Sequence, residues 1–347
     1  MKKLFKSYAF NISLMILVTV VALYFVLRDD FDIVMETLQK LNIYWVIGLA
    51  AFIFCYQLII GLILTLLTRL SNPNYKYGQG LINALIAAFF HGVTPSASGG
   101  QVAQIYVYKK QKVAVSDAAS ILWMDFIIYQ GTMVLTVFLL LLFNLSTFYN
   151  HHKELFGLVI LGFIVNSIII VGFWVITRFS KVYTWISTKG IELGHKLKLI
   201  KDKEKTLNNL NEGIKRFESE TVKFKQHKKL IIKIILINIV RLVVYYSFPF
   251  ICALALRIPI SINSLLEVMT LTACVSMINT FVPIPGASGG TEVTFVLMFA
   301  TIIGSANATS MMLVWRFFSY YFIMIIGAIV FILFKRYYAR KEGENLE

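Results

Sequence analysis

Long apolar stretches dominate the order of hydrophobic and polar positions along the chain. A helix rises about 1.5 Å per residue, so roughly 20 apolar residues cross a bilayer core of about 30 Å. Six runs have that length, at about residues 8–27, 43–67, 118–143, 155–177, 231–256 and 307–334. The pattern predicts an all-α polytopic membrane protein with about six full spans.

Two further apolar regions are each divided by a Gly-rich phrase. The first region covers about residues 80–92 and 99–108, and the second covers about residues 264–282 and 290–303. Most of these pieces are too short to cross a bilayer. We therefore predict two re-entrant helical hairpins, each with the phrase at its tip.

The phrase is nearly the same in both regions. It reads Thr-Pro-Ser-Ala-Ser-Gly-Gly-Gln at residues 94–101 and Ile-Pro-Gly-Ala-Ser-Gly-Gly-Thr at residues 284–291, aligned at one offset of 190 residues. Membrane interiors accept irregular backbone only where protein encloses it or where it lines a cavity. Small residues also serve close helix packing, but paired interruptions in two halves point to a transporter binding site.

Basic residues are distributed unevenly between the two sides of this topology. With the N-terminus in the cytoplasm, 27 of the 33 Lys and Arg residues lie in cytoplasmic segments and 4 lie outside. The positive-inside rule then places both termini in the cytoplasm. The two hairpins enter from opposite sides, which predicts an inverted-topology repeat of about residues 43–143 and 231–334 within one transmembrane domain, 1–347.

Composition and charge narrow the functional classes. The net charge of +15 alone would suit a nucleic acid partner. The charge instead follows the membrane topology and is concentrated in a cytoplasmic insert, residues 178–229, so we expect no nucleic acid partner. The insert has apolar residues at helical spacing, which indicate an amphipathic helix lying on an anionic leaflet or a solvated connector: Leu207, Leu210, Ile214 and Phe217.

The two tips are suited to an anion. Consecutive Gly residues expose backbone N–H groups, and a helix starting there directs the positive end of its dipole into the cavity. Ser98 and Ser288 are candidate N-caps. The residues predicted to bind substrate at the tips are Ser98, Gly99, Gly100, Gln101, Ser288, Gly289 and Gly290.

Charged residues inside the membrane segments are the other candidates, because each is costly in lipid. They are Asp125, Arg241, Glu292 and Arg316, with His91 just before the first tip. Glu292 should lie on the first turn of a helix and pair with Arg316, either as a structural ion pair or as part of a phosphate site that Arg241 joins. His91 is either a core histidine or part of the site.

Asp125 has an alternative interpretation. It lies about two turns inside its span and could pair with Lys109 or Lys112 near the membrane surface. No Walker A sequence, zinc-ligand spacing or Gly-x-Ser-x-Gly nucleophile motif occurs in the chain. We therefore expect no cofactor and no ATP-driven step, and movement that is downhill or coupled to an ion gradient.

The two phrases, together with Trp315-Arg316 and the aromatic residues that follow, resemble the lysylphosphatidylglycerol synthase transmembrane family, the flippase-like half of the multiple peptide resistance factor. The resemblance implies a bacterial plasma-membrane protein that moves aminoacylated phosphatidylglycerol, or another glycerolipid or polyprenyl lipid, between leaflets. Glu292 and Arg316 match the family pattern, whereas Gln101 stands where many members carry Glu. We expect the soluble lysyltransferase domain of full-length members to be absent.

Several functions stay open at this point. A lipid translocator is the leading hypothesis, a channel or carrier for a small polar solute or anion is the second, and a phosphatidylglycerol lysyltransferase, by family resemblance alone, is the third. A membrane scaffold explains the Gly phrases poorly. The expected partner is a membrane phospholipid, either phosphatidylglycerol or lysyl-phosphatidylglycerol, and the candidate protein partners are a second copy and a separately encoded lipid synthase.

Overall fold

The computed structural model describes residues 41–94, 99–145, 153–178, 226–279 and 287–343, with isolated positions at 36, 37, 39, 148, 149, 188 and 189. These residues are helical and contain no β-strand. The helices are α1 Ile43–Thr68, α2 Tyr77–Val93, α3 Gly99–Lys110, α4 Val115–Phe143, α5 Lys153–Arg178, α6 Lys228–Ala255, α7 Leu265–Asn279, α8 Gly290–Ile303, α9 Ser305–Arg316 and α10 Ile323–Gly343.

Six stretches of the described residues are long and apolar enough to cross a membrane. Five of them, α1, α4, α5, α6 and the continuous stretch that begins with α9, coincide with predicted spans. The sixth is Ile262–Asn279, where a short 3-10 helix, Ile262–Ser264, leads into α7. We predicted this segment as one arm of the second hairpin. The predicted span 8–27 and most of the insert 178–229 lie outside the described residues.

The last apolar stretch contains a change of helix type. A π-helical segment, Phe317–Phe322, joins α9 to α10 within the 37 residues from Ser305 to Lys341. A π-helix takes more residues per turn than an α-helix and is often found at functional sites. Here it begins directly after Arg316.

The first hairpin, α2 and α3, is antiparallel as predicted. At its base the Gln111 side chain donates to the Gln79 carbonyl at 3.1 Å and accepts a hydrogen bond from the Tyr75 hydroxyl. At its tip the His91 imidazole covers Gly100, where any side chain would overlap the ring. Burial raises the pKa of Tyr75 above its ordinary value, so this hydroxyl stays a donor.

Helix α2 packs closely against two neighbours. A Cβ atom placed on Gly61 of α1 would lie 2.8 Å from the Leu81 Cα of α2. Near the C-terminal end of α2, a Cβ atom on Gly92 would lie 2.8 Å from the Met324 Sδ of α10. Small residues permit this close approach between membrane helices, and they fix α2 between α1 and α10.

The bases of the two hairpins lie at opposite ends of α4. The helix starts four residues after Gln111, at the base of the first hairpin. At its other end the Asn144 side chain donates to Thr270 Oγ1 at 2.9 Å, near the start of α7. A 29-residue helix is about 44 Å long, so the second hairpin, α7 and α8, enters the bundle from the end opposite the first.

Candidate functional site

The tip of the second hairpin is a tight turn before α8. Ala287 and Gly289 both have positive φ, at 52° and 82°. Gly289 occupies the N-cap position, so the prediction that Ser288 caps this helix is wrong. The Ser288 hydroxyl is instead 3.1 Å from Nη2 of Arg316, from which it accepts a hydrogen bond.

Glu292 and Arg316 form the predicted ion pair. Arg316 Nε lies 2.9 Å from Glu292 Oε1, and the two side chains are 7% and 19% exposed. Glu292 lies in the first turn of α8, where the helix dipole stabilises a negative charge. At this tip the guanidinium of Arg316 therefore contacts both the carboxylate of Glu292 and the hydroxyl of Ser288.

Tyr320 extends this set of contacts to the first hairpin. The Arg316 Cζ atom lies 4.1 Å above the Tyr320 ring, and the Tyr320 hydroxyl donates to the Gly92 carbonyl at 2.7 Å. Gly92 is the last residue but one of α2. Ser288, Glu292, Arg316 and Tyr320, which we call the Arg316 site, thus join the tip region of one hairpin to that of the other.

Tyr320 was not among the predicted site residues, although the sequence carries a signal for it. Aromatic residues follow Arg316 in the chain, and side chains four residues apart on a helix are neighbours. The spacing alone does not identify the π-helical turn that directs the Tyr320 hydroxyl to Gly92.

The tip of the first hairpin is organised by Thr94 rather than by a charged residue. The Gly99 amide donates to Thr94 Oγ1 at 2.9 Å, and this hydroxyl donates to the Phe90 carbonyl at 2.6 Å. Gly100 is buried beneath the half-buried His91. Gln101 is exposed, and Ser98 lies outside the described residues.

Arg241 belongs to a separate set of contacts near the middle of α6. Its Nη2 donates to the Tyr56 hydroxyl at 3.0 Å, and its Nη1 lies 3.4 Å from Asn238 Oδ1. Its Cζ atom is 4.1 Å from the Tyr129 ring centroid and 4.9 Å from that of Tyr56. Contacts of a guanidinium with aromatic faces stabilise the charge in a desolvated place.

Asp125 lies on α4 one helical turn before Tyr129, the residue whose ring contacts Arg241. Its Oδ1 is enclosed and has no hydrogen-bond partner among the described residues, while the residue as a whole is half-buried. The alternative that Asp125 pairs with Lys109 or Lys112 is wrong, because the described residues give it no such contact. We call Tyr56, Asp125, Tyr129 and Arg241 the Arg241 cluster.

Tyr245 lies between the two sets of residues. Its ring centroid is 5.2 Å from that of Tyr56 and 6.3 Å from that of Trp315, which directly precedes Arg316. Trp315 in turn stacks on Phe295 of α8 at 4.8 Å. A layer of aromatic rings therefore connects the Arg241 cluster to the Arg316 site.

These features define a class of protein: a multi-pass α-helical membrane protein in which a buried ion pair beside the second hairpin is connected through Tyr320 to the end of α2 in the first hairpin. The chain belongs to the lysylphosphatidylglycerol synthase TM family, since the family model described as "Lysylphosphatidylglycerol synthase TM region" matches residues 12–327. No curated protein and no solved structure matches the chain.

Proposed function

We propose that this chain moves an anionic or aminoacylated phospholipid, of the phosphatidylglycerol or lysyl-phosphatidylglycerol type, between the leaflets of a bacterial plasma membrane. The observation that carries the proposal is the position of Arg316. Its guanidinium is buried among membrane helices, yet it contacts Ser288 and Glu292 at one hairpin tip and, through Tyr320, reaches the other.

The chemistry of the Arg316 site suits a lipid headgroup. A guanidinium binds a phosphate diester in bidentate fashion, so an arriving phosphate exchanges places with the Glu292 carboxylate. Glu292 is then available to the ammonium groups of an aminoacyl headgroup. When the ion pair separates, Arg316 binds the phosphate and Glu292 binds the ammonium groups of the same headgroup.

The surface beside the site favours a lipid over a solute dissolved in water. Val293, next to Glu292, is 59% exposed, and Leu297 one turn further along α8 is 53% exposed. In a membrane these apolar side chains face acyl chains. A lipid can therefore keep its tails in the bilayer while its headgroup reaches Arg316 and Ser288.

The test is transbilayer movement of labelled phosphatidylglycerol and lysyl-phosphatidylglycerol in proteoliposomes. We expect Arg316→Gln and Glu292→Gln to slow the movement about 10- to 100-fold, because a hydrogen bond to a charged group contributes roughly 1.5–3 kcal/mol. The matched controls, Glu267→Gln on the other arm of the same hairpin and Arg340→Gln at the end of α10, should behave as wild type.

Two results would contradict the proposal. One is wild-type protein, shown to be folded, that moves neither lipid but conducts water-soluble anions, which would establish the channel function. The other is lipid movement that both glutamine variants retain in full, which would place the pathway elsewhere in the protein.

A further inference from the structure

We propose that Asp125 is a proton-binding residue that couples lipid movement at the Arg316 site to a proton gradient. This inference rests on the proposed function and adds its energy source. It begins from the Arg241 cluster, which the headgroup chemistry above does not use.

Asp125 is placed where a permanent negative charge is poorly supported. It is the eleventh residue of α4, about 15 Å from the start of that helix. Its Oδ1 is enclosed without a hydrogen-bond donor in the described part of the chain. An ionised carboxylate with an oxygen enclosed in this way carries a desolvation cost, and binding a proton lowers that cost.

The positive charge of Arg241 in the same cluster does not change. Arg241 stays protonated at any ordinary pH, and its guanidinium is held by Tyr56, Tyr129 and Asn238 instead of forming an ion pair with Asp125. Within this cluster Asp125 is therefore the group that gains and loses a charge.

The groups that neighbouring helices contribute to this region leave Asp125 as the carboxylic acid that can bind and release a proton. Helix α6 contributes Arg241, α1 contributes Tyr56, which accepts a hydrogen bond from Arg241, and α3 contributes the buried Tyr108. Helices α5 and α7 also pack against α4, and there the contacts are made by the uncharged Asn166 and Thr270.

Protonation of Asp125 favours the arrival of an anion. While Asp125 is ionised, its charge balances that of Arg241. Once it is protonated, the positive charge of Arg241 is unbalanced, and an anionic headgroup that approaches along the Tyr56, Tyr245 and Trp315 rings is attracted. Proton and phosphate thus bind in a mutually favourable way, because such coupling between two sites is reciprocal.

In this proposal the proton passes buried polar groups on the way to the base of the first hairpin. Tyr108 accepts a hydrogen bond from Thr68 Oγ1 at 3.1 Å, and its ring lies 5.9 Å from that of Tyr75. The Tyr75 hydroxyl in turn donates to Gln111. These buried groups extend to the base of the first hairpin, where α2 begins and α3 ends.

The experiment measures two quantities in the same proteoliposomes, movement of labelled phosphatidylglycerol and the internal pH reported by a trapped dye. We expect an imposed pH gradient to change the wild-type rate of lipid movement about fivefold or more, with protons crossing alongside the lipid. Asp125→Asn should lose both responses, and Asp125→Glu, which keeps a carboxyl group, should retain them. Asp117→Asn in the first turn of the same helix is the matched control and should respond as wild type.

The outcomes separate this inference from the proposed function. Wild-type lipid movement that is indifferent to the gradient, without proton movement, would overturn the coupling and leave the lipid function intact. Wild-type protein that moves no lipid would overturn the proposed function and the coupling together. Proton binding is then judged by infrared difference spectra between acid and alkaline pH, where a carboxylic acid band absent from Asp125→Asn supports it and identical spectra contradict it.

Discussion

Glu292 and Arg316 carry opposite charges inside the helix bundle, and each depends on the other to offset its burial. Removing one partner of a buried pair costs roughly 3–5 kcal/mol, because the remaining charge is left uncompensated. We therefore expect Glu292→Gln and Arg316→Gln each to lower the free energy of unfolding by about that amount. The double variant should lose less than the two single losses combined, with a coupling energy of about 0.5–3 kcal/mol.

Equilibrium unfolding in mixed micelles measures this cycle. Glu267 and Arg340 lie on separate helices, α7 and α10, so their glutamine variants should give additive effects. Additive losses at Glu292 and Arg316 as well would show that the ion pair contributes nothing to stability beyond its separate charges.

The hydroxyl of Tyr320 connects the π-helical segment to the first hairpin through its hydrogen bond to the Gly92 carbonyl. Tyr320→Phe removes this bond and keeps the ring beneath Arg316. We expect a loss of about 1 kcal/mol in unfolding free energy and faster amide hydrogen exchange near the end of α2. Tyr337→Phe, at an exposed ring on α10, should change neither quantity, and unchanged exchange at α2 in Tyr320→Phe would show that this bond does not restrain the first hairpin.

At the scale of elements, the close packing of α1 on α2 depends on Gly61. A methyl group there would meet the Leu81 Cα at 2.8 Å, and the backbone of one helix would have to move. Overpacking of this kind costs about 1–3 kcal/mol. We expect Gly61→Ala to lower the midpoint of thermal denaturation.

Gly48→Ala is the matched control on the same helix, because nothing lies within 4 Å of its Cβ position. Replacing a helix-interior Gly by Ala there should stabilise the protein by roughly 0.5–1 kcal/mol. Equal shifts for the two variants, in either direction, would mean that α1 and α2 separate more easily than their packing indicates.

The long helices were predictable from the sequence, because an apolar run of about 20 residues predicts a membrane-spanning helix. Runs 43–67 and 231–256 became α1 and α6 with bounds within a few residues. The Glu292–Arg316 pair was also predictable, since two opposite charges near one hairpin need each other in lipid. Ser288 and Tyr320 were not, because their roles depend on a turn with positive φ at Gly289 and on a π-helical segment, and neither leaves a periodic pattern.

At the scale of the whole molecule, the two hairpins must open toward opposite sides of the membrane if the Arg316 site lies between them. Lys76 precedes the first hairpin and Asn263 precedes the second, and both are exposed. Their positions at the two ends of α4 follow from the Gln111 and Asn144 contacts. Two features stay predictions: the repeat boundaries 43–143 and 231–334, and the cytoplasmic position of the termini. Both can be tested by asking from which side of the membrane each hairpin is accessible.

A membrane-impermeant thiol reagent tests this arrangement in sealed vesicles. In a Cys55→Ser background, where the remaining Cys252 and Cys274 are buried, we expect Lys76→Cys to react only in inverted vesicles, because basic residues favour the cytoplasmic side. Asn263→Cys should react only in right-side-out vesicles. Reaction of both from the same side would contradict the inverted repeat. The contacts among Ser288, Arg316, Tyr320 and Gly92 would then join two hairpins that enter from one side, and that geometry offers no path from one leaflet to the other.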